Sequence, residues 1–221
     1  MEIALCPSGL VPPRVIETLA WDGQQCLRQE LHLARLQRTC AKLGYPLDVH
    51  QVLAQLQVLP RAGTLRVRLT VGVTGDIEIT HAPLAPSAPV WRVAVATQPL
   101  QSDDAWLQLK TTHRALYDQV RAGMPAGLEE IIFCNERDEV CEGSITNVFF
   151  DVGQGLSTPP LSCGLLPGVL RQTLLEAGAC KEQVLHRKEL EHAKLWVGNS
   201  LRGLIVARLT TQPPESGLRA V

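Results

Sequence analysis

Hydrophobic and polar residues alternate along several stretches of this chain, which is the pattern of half-buried β-strands. The clearest case is residues 64–84, where Leu65, Val67 and Leu69 alternate with polar residues before a Gly75-Asp76 turn. This stretch predicts a hairpin. By the same criteria, strands are predicted at residues 13–22, 25–31, 91–100, 129–135, 139–152, 156–161 and 181–185, and a pair of strands at 194–209.

Other stretches carry apolar residues at helical spacing. In residues 32–43, Leu33, Leu36 and Cys40 recur every three or four positions before Gly44 ends the pattern. Further helices are predicted at residues 49–59, 111–121 and 169–176, with a short one before residue 194. The chain therefore belongs to the α+β class, with two hairpin-plus-helix halves.

The two halves meet near residue 100. Residues 82–89 contain three prolines, and residues 101–105 are polar apart from Ala105. We therefore predict an N-terminal domain of residues 1–100, a linker of residues 101–105 and a C-terminal domain of residues 106–221.

Composition excludes several classes of protein. The chain has 221 residues, of which 45% are hydrophobic and 19% charged, so it can bury a sizeable core. Its net charge of −1 gives no broad basic surface for nucleic acid or an anionic membrane. No apolar run approaches the roughly 18 to 20 residues of a membrane span, and the first residues do not resemble a signal peptide. We expect a cytoplasmic protein.

The cysteines and histidines do not indicate a metal site or a disulfide framework. There are seven cysteines, an odd number, and no C-x-x-C motif occurs. No His or Cys residues cluster at zinc-ligand spacing. We expect reduced, mostly buried thiols and no bound metal.

Lys110 is the first candidate for chemistry. The chain has 16 arginines but only five lysines, and Lys110 lies among apolar residues such as Leu107 and Leu109. Lys42 lies beside the helix stop at Gly44, and the other three lysines lie in charged segments. Burial favours the neutral amine, which is the form that attacks a carbonyl group. An exposed lysine at the start of a helix would show the same local sequence.

Four further elements could bind a charged or polar ligand. Glu142 follows Val140 and Cys141 in a predicted strand and needs a cationic partner if it is buried. Residues 164–168 form a loop with two glycines and a proline that opens into a helix, whose first N–H groups suit an anion. Ser200 lies in a turn, and Arg35 lies on the first helix, where a guanidinium can clamp phosphate. Each feature alone is also compatible with an ordinary structural role.

The order of these elements resembles the class IV aminotransferases, the pyridoxal-phosphate enzymes of fold type IV. The similarity begins near Arg14 and is most specific in the motif E-G-S-x-x-N-x-F from Glu142, Thr158-Pro159, and L-L-P-G-V-x-R from Leu165. It implies a two-domain fold like that of D-amino-acid aminotransferase. A small N-terminal α/β domain would precede a C-terminal β-barrel-like domain.

The resemblance also implies roles for the candidates. Lys110 would hold pyridoxal 5′-phosphate covalently and act on the substrate, and Glu142 would face the ring nitrogen of this cofactor. The phosphate contacts would come from Arg35, the backbone N–H groups of Val169 and Leu170, and the hydroxyl of Ser200. The substrate would be a small amine, with Arg92 and Arg202 as candidates to bind its carboxylates, and we expect a homodimer.

Departures from the pattern of the aminotransferases favour the lyase branch. Those enzymes commonly have Tyr five residues after the lysine and Thr in the phosphate-binding helix start, where this chain has Ala115 and Leu170. Lys110 and Arg114 form a lyase-like L-K-x-x-x-R pattern. The expected activity is that of 4-amino-4-deoxychorismate lyase, which makes pyruvate and 4-aminobenzoate for folate synthesis. An aminotransferase acting on branched-chain or D-amino acids is the alternative, and the short N-terminal half leaves open a catalytically silent relative.

Overall fold

The computed structural model describes residues 11–61 and 63–210, which form two compact units. The first unit runs to Ala85 and includes Leu109–His113, and the second comprises Pro86–Gln108 and the chain from Arg114 onward. This grouping differs from the predicted boundary. The strand Val90–Val95 pairs with strands of the second unit, and the predicted linker, residues 101–105, also lies inside that unit.

The first unit is a three-stranded antiparallel sheet with two helices. Its strands lie in the order β1, β2, β3. The elements are β1 (Val15–Trp21), α1 (Gln29–Leu43), α2 (Val49–Gln57), β2 (Leu65–Val71) and β3 (Ile77–Pro83). The alternation in β2 puts Val67 and Leu69 in one apolar cluster with Leu36 of α1 and Leu56 of α2. The apolar stripes of both helices thus cover one face of the sheet.

The predicted strand at residues 25–31 is wrong. Cys26 forms only an isolated bridge with Trp21, Arg28 adopts a left-handed conformation with φ 56°, and α1 begins at Gln29. Gln29 and Glu30 have good helix propensity, and the acidic side chain of Glu30 in the first turn suits the positive end of the helix dipole. The predicted helix at 32–43 is therefore extended by three residues at its start.

The second unit contains a closed ring of strands. Six strands follow in the order β10, β11, β4, β5, β6, β7, and the pairing of β7 with β10 closes the ring. The elements are β4 (Val90–Val95), α3 (Ala115–Ala122), β5 (Glu130–Cys134), β6 (Val140–Gly143), β7 (Asn147–Asp151), β8 (Ser157–Thr158), α4 (Val169–Glu176), β9 (Lys181–Glu182), β10 (Lys194–Asn199) and β11 (Gly203–Leu209). The expected C-terminal β-barrel-like domain is confirmed.

Three apolar clusters are buried in this unit, and two of them include alternate residues of the same strands. Val93, Ile132 and Val197 are fully buried in one cluster. Phe133 and Cys141, on the alternate face, pack with the loop residue Leu165 and with the apolar side of α3 in another. Because successive strand residues point to opposite faces, both sides of β5 and β6 are buried, and Glu130 and Glu142 are the charged residues of these two strands.

The predicted strand at residues 139–152 is two strands in the structure. β6 ends at Gly143, and β7 begins at Asn147. The carboxylate of Glu130, which is 0% exposed, accepts hydrogen bonds from the N–H groups of Ser144 and Ile145 at 3.0 and 3.1 Å. The hydroxyl of Thr146 donates to the same carboxylate at 2.9 Å. These contacts fold residues 144–146 into a tight connection that the local sequence does not predict.

The described cysteines agree with the expectation of buried thiols. Cys26, Cys40, Cys134, Cys141, Cys163 and Cys180 are all buried and free. Cys6 lies outside the described residues. None of the helices in the described ranges is both long enough and apolar enough to cross a membrane.

Candidate active site

A buried cluster of charged side chains lies between β1 and α1 of the first unit. Arg35 donates two hydrogen bonds to Glu17, from Nε to Oε1 at 2.8 Å and from Nη2 to Oε2 at 2.7 Å. His32 lies one helical turn before Arg35, and its Nδ1 is 2.7 Å from Oε2 of Glu17. The three residues are at most 5% exposed. The predicted phosphate ligand Arg35 is thus held in a fixed orientation by a carboxylate.

Electrostatics keep Glu17 charged. Burial raises the pKa of this carboxyl group, but the charge and hydrogen bonds of Arg35, together with His32, outweigh burial and lower the pKa to about 2. Sequence analysis did not assign a role to Glu17 or His32. The available signal was an acid in an otherwise apolar strand, and a His and an Arg three residues apart on one helix.

Lys110 lies in an extended segment beside β1. Its carbonyl oxygen accepts a hydrogen bond from the N–H of Ile16 at 2.8 Å, and the N–H of Thr112 donates to the carbonyl oxygen of Arg14 at 2.9 Å. Because these backbone groups pair with β1, helix α3 starts only at Ala115 and not at residue 111 as predicted. Strand β1 therefore positions both the half-buried Lys110 and, through Glu17, Arg35.

Glu142 lies in β6 of the second unit and is 5% exposed. The hydroxyl of Tyr117 donates to Oε1 of Glu142 at 2.7 Å, and the N–H of Leu166 donates to Oε2 at 3.1 Å. Hydrogen bonds of this kind stabilise the charged form of a carboxyl group. Glu142 was identified from the sequence, but Tyr117 was not. Tyr117 lies on a helix 25 positions earlier in the chain and meets Glu142 only in the folded protein.

The loop before α4 packs closely against Asn147. The amide Nδ2 of Asn147 donates to the carbonyl oxygen of Leu166 at 3.0 Å. A Cβ atom at Gly168 would lie 1.8 Å from Oδ1 of Asn147, so a residue with a side chain does not fit there. In the described part of the chain, no side chain caps the start of α4, and its first turn contains no acid. The N–H groups of Val169 and Leu170 are therefore suited to an anion.

Ser200 is placed near the same loop by strand pairing. Asn147 lies opposite Glu142 in the pairing of β6 with β7, and opposite Gly198 in the pairing of β7 with β10. Asn199 donates from Nδ2 to the carbonyl oxygen of Ile145 at 3.2 Å, which ties the turn containing the buried Ser200 to the connection between β6 and β7. Glu142, Gly168 at the start of α4, and Gly198, two residues before Ser200, are therefore all neighbours of Asn147.

The two candidate substrate arginines lie apart. Arg202 is half-buried in the turn that follows Ser200, where its N–H donates to Oδ1 of Asn199 at 3.1 Å. Arg92 is an exposed residue of β4 that pairs with Arg208 of β11 and forms a 3.9 Å ion pair with Glu129. Since the turn is at the opposite end of β11, about 17 Å of strand separates the backbones of Arg92 and Arg202. Only Arg202 is close to the other candidates of this unit.

The described residues contain no group of three or more His, Cys, Asp or Glu side chains arranged to hold a metal ion. The first unit contributes a half-buried lysine and a buried arginine, and the second unit contributes a buried carboxylate and an uncapped helix start. A buried arginine and a helix start each suit an anionic group, and a lysine amine can attack an electrophilic carbon.

The model of the family described as amino-transferase class IV matches residues 14–209. The chain therefore belongs to this family, whose members are the pyridoxal-phosphate-dependent enzymes of fold type IV. The match covers both units and includes every candidate residue discussed above.

Similar proteins include both aminotransferases and lyases. A solved structure from Mesorhizobium loti, provisionally named an amino-acid aminotransferase, is 42% identical with a TM-score of 0.84, and the match covers 90% of this chain and all of that one. A Schizosaccharomyces pombe protein provisionally named aminodeoxychorismate lyase is 26% identical, covering 91% of this chain and 92% of its own length. Aminodeoxychorismate lyase of Bacillus subtilis is 29% identical over 66% of this chain, which spans only 57% of that enzyme.

Proposed function

We propose that this protein is a 4-amino-4-deoxychorismate lyase that uses pyridoxal 5′-phosphate to release pyruvate and 4-aminobenzoate. The observation that carries the proposal is the match, over nearly the whole of both chains, to a relative that is provisionally named for this activity. The apolar residues Ala115 and Leu170 support it, because they stand where the resembling aminotransferases commonly have Tyr and Thr.

The residues present fit the proposed cofactor. A phosphate ester would be held by Arg35 and by the uncapped start of α4, at Val169 and Leu170. Gly168 has no side chain that could cover the N–H groups of that helix start, and Asn147 leaves no room for one. Ser200 would add a hydroxyl donor. The buried Glu142 matches a ring nitrogen that carries a proton.

When bound, pyridoxal phosphate supplies an aldehyde and a ring that withdraws electrons from the substrate. Lys110 would bind the aldehyde through its amine. Once released by the substrate amine, Lys110 would remove the proton from the carbon that bears this amine, as a general base. The electron pair of that C–H bond would complete the aromatic ring of 4-aminobenzoate as the ether C–O bond breaks, and the departing enolpyruvate would take up a proton to give pyruvate. Glu142 would keep a proton on the ring nitrogen, and Arg202 would bind a carboxylate of the substrate.

An aminotransferase is the second candidate, because the 42% identical protein from Mesorhizobium loti carries that provisional name. The two activities differ in one requirement. Transfer of an amino group needs a keto acid as acceptor, whereas the lyase reaction needs no second substrate. A catalytically silent protein is disfavoured because both Lys110 and Glu142 are present.

The test is to incubate the purified protein, loaded with pyridoxal phosphate, with aminodeoxychorismate and no keto acid. We expect equal amounts of pyruvate and 4-aminobenzoate. Lys110→Ala should lower the rate by at least about a hundredfold, since it removes the general base. Lys188→Ala, the same substitution at an exposed lysine, is the matched control and should retain the rate. Amino-group exchange with a keto acid, without pyruvate release from aminodeoxychorismate, would show that the lyase assignment is wrong.

We further propose that the protein works as a cytoplasmic homodimer, the association implied by its resemblance to this family. Two-fold dimers are the commonest oligomers of soluble enzymes. Light scattering coupled to size-exclusion chromatography measures the molar mass directly. A mass near 24 kDa at micromolar concentration would contradict the dimer.

A further inference from the structure

Tyr117 makes a short hydrogen bond to the carboxylate that we assign to the cofactor ring. Its hydroxyl is 2.7 Å from Oε1 of Glu142. Helix α3 presents Tyr117 in its first turn, and the ring packs edge-on against Phe133 with 4.9 Å between centroids. The guanidinium carbon of Arg114 lies 5.5 Å from the centroid of the Tyr117 ring. The phenol is therefore fixed by packing on more than one side, and its oxygen is aimed at Glu142.

The phenol acts as a donor and not as a second anion. Burial raises the pKa of Tyr117 far above its usual range, and the negative charge and hydrogen bond of Glu142 raise it further. Tyr117 therefore keeps its proton and donates it to Glu142 in a hydrogen bond. A neutral phenol beside a carboxylate lowers the tendency of that carboxylate to take up a proton of its own.

We propose that Tyr117 is a positioning residue that holds Glu142 in its charged form and so keeps the proton on the ring nitrogen of bound pyridoxal phosphate. This inference rests on the proposed function, because only there does Glu142 face the ring. A proton between a carboxylate and a pyridine nitrogen resides on the more basic partner. Each hydrogen bond donated to Glu142 stabilises the charged carboxylate and so favours the proton on the nitrogen.

The two oxygens of Glu142 receive different kinds of donor. Oε2 accepts from the backbone N–H of Leu166 at 3.1 Å, which no side-chain substitution removes. Oε1 accepts from the side chain of Tyr117. Tyr117 is therefore a position at which a side-chain substitution changes the surroundings of Glu142 without changing the carboxylate itself. In this role it would control how strongly the ring withdraws electrons from the substrate.

The experiment compares two single-atom deletions. The chain has two tyrosines, and both donate a hydroxyl hydrogen bond: Tyr117 to Glu142, and Tyr45 to the carbonyl oxygen of Pro13 at 2.8 Å. Tyr117→Phe is the test variant, and Tyr45→Phe is the matched control. Each is loaded with pyridoxal phosphate labelled with nitrogen-15 in the ring, whose NMR shift reports directly whether the nitrogen is protonated. Thermal unfolding and kcat and KM are measured on the same samples.

We expect the ring nitrogen of the wild type and of Tyr45→Phe to be protonated, and that of Tyr117→Phe to shift toward the neutral form. The kcat of Tyr117→Phe should fall about tenfold with little change in KM, because one hydrogen bond to a charged group is lost. In a Glu142→Gln background, adding Tyr117→Phe should change kcat by less than about twofold, because both substitutions interrupt the same interaction.

Other outcomes overturn the inference. If Tyr117→Phe lowers thermal stability but leaves the nitrogen-15 shift and kcat like those of Tyr45→Phe, Tyr117 only packs. If Tyr117→Phe does not fold, 3-fluorotyrosine is incorporated in the Tyr45→Phe background, where position 117 is the only one labelled. The fluorinated phenol is a stronger donor of almost the same size, so loss of the ring proton there would contradict the inference. A wild type that binds no labelled cofactor would instead show that the proposed function is wrong.

Discussion

Glu17 of the first unit and Glu130 of the second are both buried carboxylates, but they are held in opposite ways. Glu17 is 2% exposed and is bound by two basic side chains, Arg35 and His32. Glu130 is 0% exposed and accepts mainly from backbone N–H groups and hydroxyls of residues 144–146, with Arg121 as its one basic partner at 3.2 Å among the contacts described.

The difference shows two uses for a buried charge. Around Glu17 the charge orients another charge, because Arg35 forms two parallel hydrogen bonds with it. Around Glu130 the charge shapes the backbone, because several donors from one short connection converge on it. The first arrangement fixes the orientation of Arg35, the predicted phosphate ligand. The second fixes the connection between β6, which carries Glu142, and β7, which carries Asn147.

The largest effect should come from removing the acceptor in the second unit. Glu130→Ala leaves three backbone N–H groups, two hydroxyls and part of Arg121 without this acceptor, so we expect the free energy of unfolding to fall by about 3 to 5 kcal/mol. Urea denaturation followed by tryptophan fluorescence measures this change. Glu191→Ala, at an exposed acid, should change stability by less than about 0.5 kcal/mol. A similar small loss for Glu130→Ala would mean that the connection forms without the carboxylate.

A smaller, pH-dependent effect is expected in the first unit. The pKa of Glu17 is lowered from 4.5 to about 2, so its charge stabilises the fold above pH 4.5 and this contribution disappears as the pH falls toward 2. It corresponds to about 3 kcal/mol at most. The wild type should therefore lose more stability over this pH range than Glu17→Gln does. Glu30→Gln, at an exposed acid of α1, should follow the wild type. Parallel pH curves for wild type and Glu17→Gln would contradict the ion-pair account.

The smallest effect should come from an exposed acid that, like Glu130, accepts hydrogen bonds from backbone N–H groups. Asp48 precedes α2, and its Oδ1 accepts from the N–H groups of His50 and Gln51 at 2.9 and 3.1 Å. Water can replace these hydrogen bonds, so Asp48→Ala should cost about 1 kcal/mol. Asp48→Asn, which keeps a capping oxygen, is the control for denaturation measurements. A cost as large as that of Glu130→Ala would show that burial does not set the difference between the two acids.

The elements with local signals were predictable. Helix α4 runs from Val169 to Glu176 as predicted, because Pro167-Gly168 marks its start and Gly178 follows its end. The hairpin of β2 and β3 was equally clear from alternation and the Gly75-Asp76 turn. In both cases, residues close in sequence determine the structure.

The missed features depend on residues distant in sequence. Ile145 and Thr146 are good strand formers, so nothing local separates β6 from β7, and the separation comes from Glu130 about 15 positions earlier. Likewise, Lys110 and Glu142 could be identified from their neighbours, but Tyr117 acquires its role only when α3 packs against β5 and β6. The roles assigned to the site residues stay predictions until the experiments above are done.

The closing of the ring has a consequence for how this protein is made. β10 pairs with β7 and β11 pairs with β4, so the ring joins Gly198 to Asn147 and Leu209 to Val93. A ribosome must therefore release the chain through about residue 209 before the ring can close. Until then, the edges of β4 and β7 are open to pairing with other chains. The last two strands of the chain therefore complete the fold and also cover the strand edges at which aggregation could begin.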